Sequence, residues 1–527
     1  MLDSMMKRLG SFSRRDLVRR GGLAAAVAAL AGRPGKISAA PPVTAGKLQI
    51  GPDIYKSIGV RPIINCRGTL TVFGGSLELP EVRAAKDAAA MHFVQLDELA
   101  EGIGRRLAEL TGAEWGLVSS GCAAGLAHAT TACVTGGNPD LHTRVPDLTG
   151  FPKDEVVIPR HSRNQYDQAV RSVGVRIIEA ADAAEYEAAL GPKVAMVYVF
   201  AGPNAERGPL PYDAIYGIAK KRNVPVLVDA AAEMLTIPNV HLQRGATLVG
   251  YSGGKCIRGP QSAGLLLGRK DLVQAAWVAS APHHGHGRTM KVGKEEAMAM
   301  LAAVEMWVGR DHKAEYQSWE NWMNHIAGVV SKTDGVKATV REPEGLSNHT
   351  PSLNISWDPA QLGVTGDEVG KELFTTEPRI AIGSNEHGLS ITAYMMSAGE
   401  EKIVADRISQ ILSRPRPKMG APKTPAGDLT GRWDVKIDFV AGSTTHHFYV
   451  KQQENKLVGT HQGDFVARDF RGTISGDQVL IASAVGENHG AAMSFRFAGK
   501  LDGDKMSGTL DMGEYLGAKW TATRHSF

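Results

Sequence analysis

The first residue that could do covalent chemistry is a lysine delivered by a glycine turn. Lys255 closes Tyr251-Ser252-Gly253-Gly254-Lys255 directly after an apolar run, and Gly259-Pro260-Gln261 leads into a second such run. A lysine amine presented at a strand end can form a Schiff base with a carbonyl, provided it is partly desolvated so that some of it is neutral near pH 7. Upstream, the run Val224-Pro225-Val226-Leu227-Val228 ends in Asp229, followed by Ala230-Ala231-Ala232-Glu233. A carboxylate there can keep a pyridinium nitrogen protonated, and the alanines are too small to obstruct a planar ring. A third place, Ser120-Gly121-Cys122-Ala123-Ala124-Gly125, has small residues opening a helix after a strand, where free amides and the helix dipole suit a phosphate.

Taken singly, each has an ordinary reading: a solvated loop lysine, a helix-capping aspartate, a packing turn. Their order along the chain is far more specific. It points to pyridoxal 5'-phosphate, with Lys255 and Asp229 catalytic and Ser120, Gly121, Cys122, Ala231 and Ser252 around the cofactor.

These residues need a scaffold that brings strand ends together. From about residue 48 to 412, short β-branched runs at 115–119, 155–159, 194–200, 224–229, 247–251 and 263–268 alternate with Ala-rich helical stretches such as 123–134 and 212–222. That rhythm predicts an α/β fold, a parallel sheet flanked by helices, with ligands beyond the carboxyl ends of the strands. A Pro- and Lys/Arg-rich stretch at 413–428 suits an extended linker. Behind it, residues 429–527 show alternating strands broken by turn signals such as Glu454-Asn455, Ser475-Gly476-Asp477 and Asp502-Gly503-Asp504. They predict a small antiparallel barrel or curved sheet that resembles lipocalin-like β-domains, with Trp433, Phe448, Phe497 and Trp520 as its core; support of a dimer, shielding of the active site and ligand binding all stay open as its role.

The first forty residues read as an address. Ser13-Arg14-Arg15-Asp16-Leu17 precedes an apolar run at 21–32 and a small-residue stretch, Ile37-Ser38-Ala39-Ala40. This is the order of a twin-arginine signal peptide, so 1–40 is expected to be removed on export to the periplasm. The apolar run is well short of the roughly 20 residues that span a bilayer, so no stable membrane anchor is expected.

The chain of 527 residues is 43% hydrophobic and 22% charged, which suits a multidomain soluble protein. A formal charge of only +4, with several cations inside 1–36, implies no nucleic-acid surface. The four cysteines, Cys66, Cys122, Cys133 and Cys256, have no zinc-ligand spacing and predict no disulfide. His283-His284-Gly285-His286 invites a metal reading, but no carboxylate or cysteine with ligand spacing accompanies it. A substrate-facing loop without a metal is the expectation.

Ile64-Asn65-Cys66-Arg67-Gly68-Thr69, Gly74-Gly75-Ser76, Thr111-Gly112-Ala113-Glu114, Asp229-Ala230-Ala231-Ala232-Glu233, Ser252-Gly253-Gly254-Lys255, Gly259-Pro260-Gln261-Ser262-Ala263-Gly264 and Gly287-Arg288-Thr289-Met290-Lys291 together carry a family resemblance. The chain resembles the selenocysteine synthase-like branch of fold type I pyridoxal-phosphate enzymes, the group of seryl-tRNA selenium transferase and D-glucosaminate-6-phosphate ammonia-lyase. The resemblance implies an aspartate aminotransferase-like fold, with a large domain at 48–297 and a small one at 298–412. It also implies at least a homodimer whose N-terminal segment helps complete the neighbour's site. By the same resemblance His161 lies near the cofactor ring, and Arg379 forks onto a substrate carboxylate, with Arg67, His284 and Arg288 as further substrate contacts. The implied reaction is α-proton abstraction from an amino acid or amino sugar acid and β-elimination to a 2-oxo acid and ammonia. A racemase or epimerase, a selenium transferase-like enzyme and an inactive, ligand-binding paralogue remain open as alternatives.

Overall fold

A computed structural model of the chain describes residues 46–417, 420, 422–486 and 492–526. The twin-arginine segment at 1–40 lies outside the described residues, as do Lys418, Met419 and Ala421 of the expected linker. No described helix is long and apolar enough to cross a membrane.

The large region is built on seven strands: β1 (Trp115–Ser119), β2 (Glu155–Pro159), β3 (Arg176–Ala180), β4 (Val194–Phe200), β5 (Val226–Asp229), β6 (Leu248–Ser252) and β7 (Gly264–Gly268). Their order across the sheet is β1-β7-β6-β5-β4-β2-β3. Most are apolar without alternation because helices cover both faces; every residue of β1, β2, β5 and β7 is buried. The core divides accordingly into one cluster on each side of the sheet, with Val197 and Val199 in one and Met196 and Tyr198 in the other.

The expected all-parallel sheet is corrected at one strand. β7 runs antiparallel to both β6 and β1, while β2 through β6 pair parallel. Chain length explains the reversal. A parallel return needs a crossover of roughly a dozen residues or more, usually a helix, and residues 253–263, which hold Lys255, form no helix.

The smaller α/β region pairs β8 (Lys337–Arg341), β9 (Ser352–Ser356), β10 (Gly383–Asn385) and β11 (Gly388–Thr392) in the order β10-β11-β9-β8. The N-terminal segment is stitched to it, because Ile64 and Asn65 pair in parallel with Ile380 and Ala381, and Arg67 bridges to Thr392. This pairing carries residues 67–71 to the carboxyl edge of the large sheet of their own chain.

The C-terminal region is a closed barrel of eight antiparallel strands, Gly431–Asp438, Ser443–Gln453, Lys456–Gln462, Ala467–Ser475, Gln478–Gly486, Ala492–Asp502, Lys505–Asp511 and Gly517–Arg524, the last pairing with the first. Burial alternates along the strands Gly431–Asp438 and Ser443–Gln453 with the two-residue period of a pleat. Trp433, Phe448, Phe497 and Trp520 are each 0–1% exposed and fill the interior.

Candidate active site

The carboxyl ends of β1, β4, β5 and β6 open on a cavity of about 510 Å³. Asp229, the last residue of β5, is 2% exposed and lines it. Its Oδ2 accepts a hydrogen bond from Tyr198 Oη at 2.8 Å, and its Oδ1 accepts from the Ala231 amide at 3.1 Å and the Cys122 thiol at 3.7 Å. Burial pushes the Asp229 carboxyl above the usual carboxylate range, against the pull of these donors and of the Lys255 charge. Tyr198 is itself fixed by Asn164, whose Nδ2 donates to its Oη at 3.1 Å.

Lys255 emerges from the loop after β6 and lines the same cavity half-buried. Glycine is required in that loop: a Cβ on Gly254 would lie 2.6 Å from the Gln261 backbone, and one on Gly253 2.7 Å from the Ala263 carbonyl. Opposite, the helix Cys122–Thr135 starts behind Gly121, which has φ +85° and open space where a Cβ would stand. No side chain caps this helix, so its first amides are left for a ligand. β7 backs the turn closely, since a Cβ on Gly264 would sit 2.4–2.5 Å from the Gly121–Cys122 peptide.

Of the residues expected from sequence, Lys255, Asp229, Gly121, Cys122, Ala231, Ser252 and Arg67 all line this cavity, and Arg67 is its one guanidinium among the described residues. Five lie outside its lining. Ser120 is turned away, its Oγ donating to the Met290 carbonyl at 2.9 Å. His161 is held by the Leu210 carbonyl at 3.0 Å and by Ser162 Oγ at 3.2 Å. Arg379 stacks on Phe374, with its guanidinium carbon 4.0 Å from the ring centroid, and donates to the carbonyls of Phe374 and Arg61 at 3.0 and 3.2 Å. His284 and Arg288 are exposed side chains of the 282–290 loop.

Tyr166, Phe200, Asn348 and Tyr394 also line the cavity and escaped sequence reading. Tyr394 Oη donates to Asn348 Oδ1 at 3.0 Å and receives Thr69 Oγ1 at 2.8 Å, tying three distant segments into one wall. Asn348 has φ +46°, the left-handed region that asparagine tolerates better than most residues. No local pattern marks these positions.

The four cysteines are free thiols. Burial, reinforced by the Asp229 charge, pushes the Cys122 thiol well above the usual range, which keeps it in the thiol form. Burial likewise raises Cys256 and Cys133 to about 12.

The donor set fits pyridoxal phosphate. An uncapped helix N-terminus suits its phosphate, a buried carboxylate its ring nitrogen, and an amine from a glycine turn its aldehyde carbon. A sheet of this order with that triad defines an α/β, fold type I pyridoxal-phosphate enzyme.

Known proteins give the same class. The family model "aminotransferase class-V" matches residues 160–300. The chain is 29% identical over 374 residues to D-glucosaminate-6-phosphate ammonia lyase of Salmonella typhimurium, covering 68% of this chain and 98% of that one. A solved structure of D-glucosaminate-6-phosphate ammonia-lyase matches with a TM-score of 0.61 at 27% identity, over 68% of this chain and 98% of the other. Identity is 30% over 378 residues to the 5'-C-glycyluridine monooxygenase-decarboxylase of a Streptomyces species, covering 68% of this chain and 92% of that one. The chain belongs to this aminotransferase class-V family of pyridoxal-phosphate-dependent enzymes.

Proposed function

We propose that the protein is a lyase that removes ammonia from an amino acid or amino sugar acid by β-elimination. The observation that carries this reading is the convergence of Lys255, Asp229 and Arg67 on one cavity, in a chain similar to an ammonia lyase over 98% of that enzyme's length.

Bound pyridoxal phosphate supplies an electron sink for the pair left when the substrate α-proton departs. The chain's residues do the rest. Asp229 holds a proton on the ring nitrogen, and Tyr198 and the Ala231 amide keep its carboxylate in place. The uncapped amides after Gly121 and the Ser252 side chain bind the phosphate. Arg67 orients the substrate carboxylate through paired N–H donors. The Lys255 amine takes the α-proton and hands it to the β-hydroxyl, which leaves as water as the β C–O bond breaks. The released enamine takes up water and loses ammonia, giving a 2-oxo acid.

Three further parts of the reading concern setting. The twin-arginine segment at 1–40 sends the folded protein to the periplasm, where its substrate is a small amino-acid-like molecule and not a tRNA. The selenocysteine synthase-like branch is its place within the family, as the resemblance of its motifs implies. The working unit is a homodimer or larger homo-oligomer, as the family resemblance implies.

The test begins with an absorption spectrum of the purified protein before and after borohydride, beside Lys255→Ala. A visible band that borohydride removes and the variant lacks supports cofactor attachment at Lys255. Ammonia and 2-oxo acid released in equal amounts from one member of a panel of amino sugar acids then support elimination; a stereoinverted substrate without ammonia would overturn it in favour of racemisation.

A further inference from the structure

Three histidines from separate parts of the chain meet beside the cofactor helix. His128 lies in the helix Cys122–Thr135, His142 ends the short helix Pro139–His142, and His286 belongs to the 282–290 loop. Glycine lets them approach. A Cβ on Gly285 would stand 2.1 Å from His142 Nε2, and one on Gly287 2.7–2.8 Å from Cε1 and Nδ1 of His128, so the residues on either side of His286 are packed against the other two imidazoles.

Their hydrogen bonding sets them apart. Five histidines are buried among the described residues, and three of them, His241, His446 and His461, reach a polar partner at 2.6–2.8 Å. The other two, His128 and His142, are 1% and 3% exposed and have no partner at either ring nitrogen; Nε2 of His286 is likewise buried and unpartnered. His283 of the same loop shows the ordinary arrangement, with Nδ1 3.1 and 3.2 Å from the Ser280 and Trp277 carbonyls and Nε2 3.2 Å from Asp97. A buried polar atom without a partner is destabilising, and native folds leave few. Several imidazole nitrogens left so in one place call for a partner that the chain itself does not supply.

We propose that His128, His142 and His286 bind a transition-metal ion of the Zn2+ class, and that the ion fastens the 282–290 loop to the helix that receives the cofactor phosphate. Neutral imidazole is a ligand for Zn2+, Co2+, Ni2+ and Cu2+, whereas Mg2+ and Ca2+ take oxygen. Three imidazoles leave the fourth position of a tetrahedral ion to water. Burial lowers all three, His128 to about 4 with His286 and His142 adding to it, so each is neutral at pH 7 and keeps a lone pair. The fold alone does not set them around one point, since no group of three His, Cys, Asp or Glu side chains does so among the described residues. Rotation about χ1 and χ2 carries an imidazole nitrogen over several ångströms, and His286, the half-buried member on the loop, is the one that turns to close the set. The loop is already tied close to the phosphate turn by Ser120 Oγ, 2.9 Å from the Met290 carbonyl. The inference is independent of the lyase reading, because none of the three histidines lines the cofactor cavity.

The test uses tag-free holoenzyme dialysed against EDTA, titrated with Zn2+ by calorimetry and with Co2+ by its visible d–d bands, which report nitrogen ligation whatever the activity. One ion per chain is expected to bind, with Zn2+ displacing Co2+ and raising the thermal midpoint. His286→Gln and His142→Gln should each weaken binding at least about tenfold, the lower end of what losing even an outer-shell partner costs. His284→Gln, an exposed neighbour on the same loop, should leave it unchanged, and the cofactor band should persist in all three variants. His286→Gln changes a half-buried loop residue, so the test survives if His142→Gln fails to fold. No saturable binding by the parent would mean that water alone satisfies these nitrogens, and it overturns the proposal. Binding of equal strength in the parent and in His286→Gln would reveal an adventitious ion only, and overturns it as well.

Discussion

Two regions of this molecule bury a hydrogen-bonded chain of titratable groups, and they end in opposite ways. At the carboxyl edge of the large sheet, Asn164 donates to Tyr198, Tyr198 to Asp229, and Cys122 to the same carboxylate. All of these donors converge on an acceptor that faces a cavity. Inside the barrel, Ser483 Oγ lies 2.7 Å from His461 Nδ1, His461 Nε2 lies 2.8 Å from His446 Nδ1, and His446 Nε2 lies 3.4 Å from Asp464 Oδ2. With Asp464 as acceptor, two neutral imidazoles satisfy this chain with every donor pointing one way, from Ser483 out to the rim. The barrel network runs from buried members to Asp464, half exposed at the rim, and Ser483, His461 and His446 are 0–3% exposed. The serine beside a histidine there spends its hydrogen bond on the network itself. A polar network becomes a site when it leaves capacity for a ligand, as Asp229 does, and serves as scaffold when its own members use that capacity up.

The comparison is broken most forcefully at Lys255. Lys255→Ala should lower turnover roughly 10²–10⁴-fold, the range for removing a positioned base, with an unchanged far-ultraviolet circular dichroism spectrum; activity within tenfold of the parent would move the chemistry elsewhere. Asp229→Asn preserves shape and removes charge, so a loss of roughly 10²–10³-fold in kcat/KM is expected. Tyr198→Phe, one bond further from the cavity, should lose about tenfold, the worth of one hydrogen bond to a charged group. Steady-state kinetics on the three variants checks whether the effect decays along the network in that order.

In the barrel the same kind of substitution should change stability and leave turnover alone. Burial depresses His461 to about 3, helped by His446 and Arg468, and depresses His446 against the attraction of Asp464. An unfolded histidine titrates near 6.5, so between about pH 6.5 and 3 the unfolded state binds the extra proton. Barrel stability is therefore full above pH 6.5 and falls as the pH drops, by up to ~1.4 kcal/mol per pH unit for His461 alone. His128, depressed by burial to about 4, makes the large region acid-sensitive in the same sense, over the narrower window from 6.5 to 4. Hydrogen exchange of the strand Ser443–Gln453 at pH 7.5 and 4.5 should show the loss. His461→Gln should flatten that pH dependence and cost about 1–3 kcal/mol at pH 7.5 by leaving His446 and Ser483 without their partner. Unchanged exchange on acidification would show that the pair takes up its protons in the fold at the same pH as in the unfolded chain.

How much of this was legible in the sequence follows from how local each feature is. β1, β2 and β4 fall on the runs read from sequence because they are buried on both faces and so appear as unbroken apolar segments. β3 was missed: at the sheet edge its Arg176 is exposed and its next three residues only half-buried, which weakens the signal. The barrel's turns were visible because Glu454 and Gly476 adopt positive φ in two-residue loops between strands, whose chemistry is local. Lys255, Asp229 and Gly121 were visible because each sits on a turn with its own composition. Tyr198, Asn348 and Tyr394 were not, since they act only after three segments of the chain have met. The reversal of β7 could have been read from the short 253–263 connection.

Arg67 and Arg379 give the finest version of the comparison, because the two arginines have the same chemistry and different commitments. Arg379 commits Nε and Nη1 to the Phe374 and Arg61 carbonyls and its flat face to Phe374, so it fastens the C-terminal end of the helix Gly366–Thr375 to the N-terminal segment. Arg67 lines the cavity and makes one long bond, 3.4 Å, to the Ile382 carbonyl. Arg67→Gln should therefore raise KM for the substrate about tenfold by removing a charge-assisted contact, with little change in the thermal midpoint. Arg379→Gln should leave KM within about twofold and lower stability by about 1–2 kcal/mol. Kinetics and thermal melts on the two variants separate the roles. If instead Arg379→Gln raises KM and spares the melt, the carboxylate-binding arginine is Arg379, and the donors it shows to Phe374 and Arg61 must be released when substrate binds.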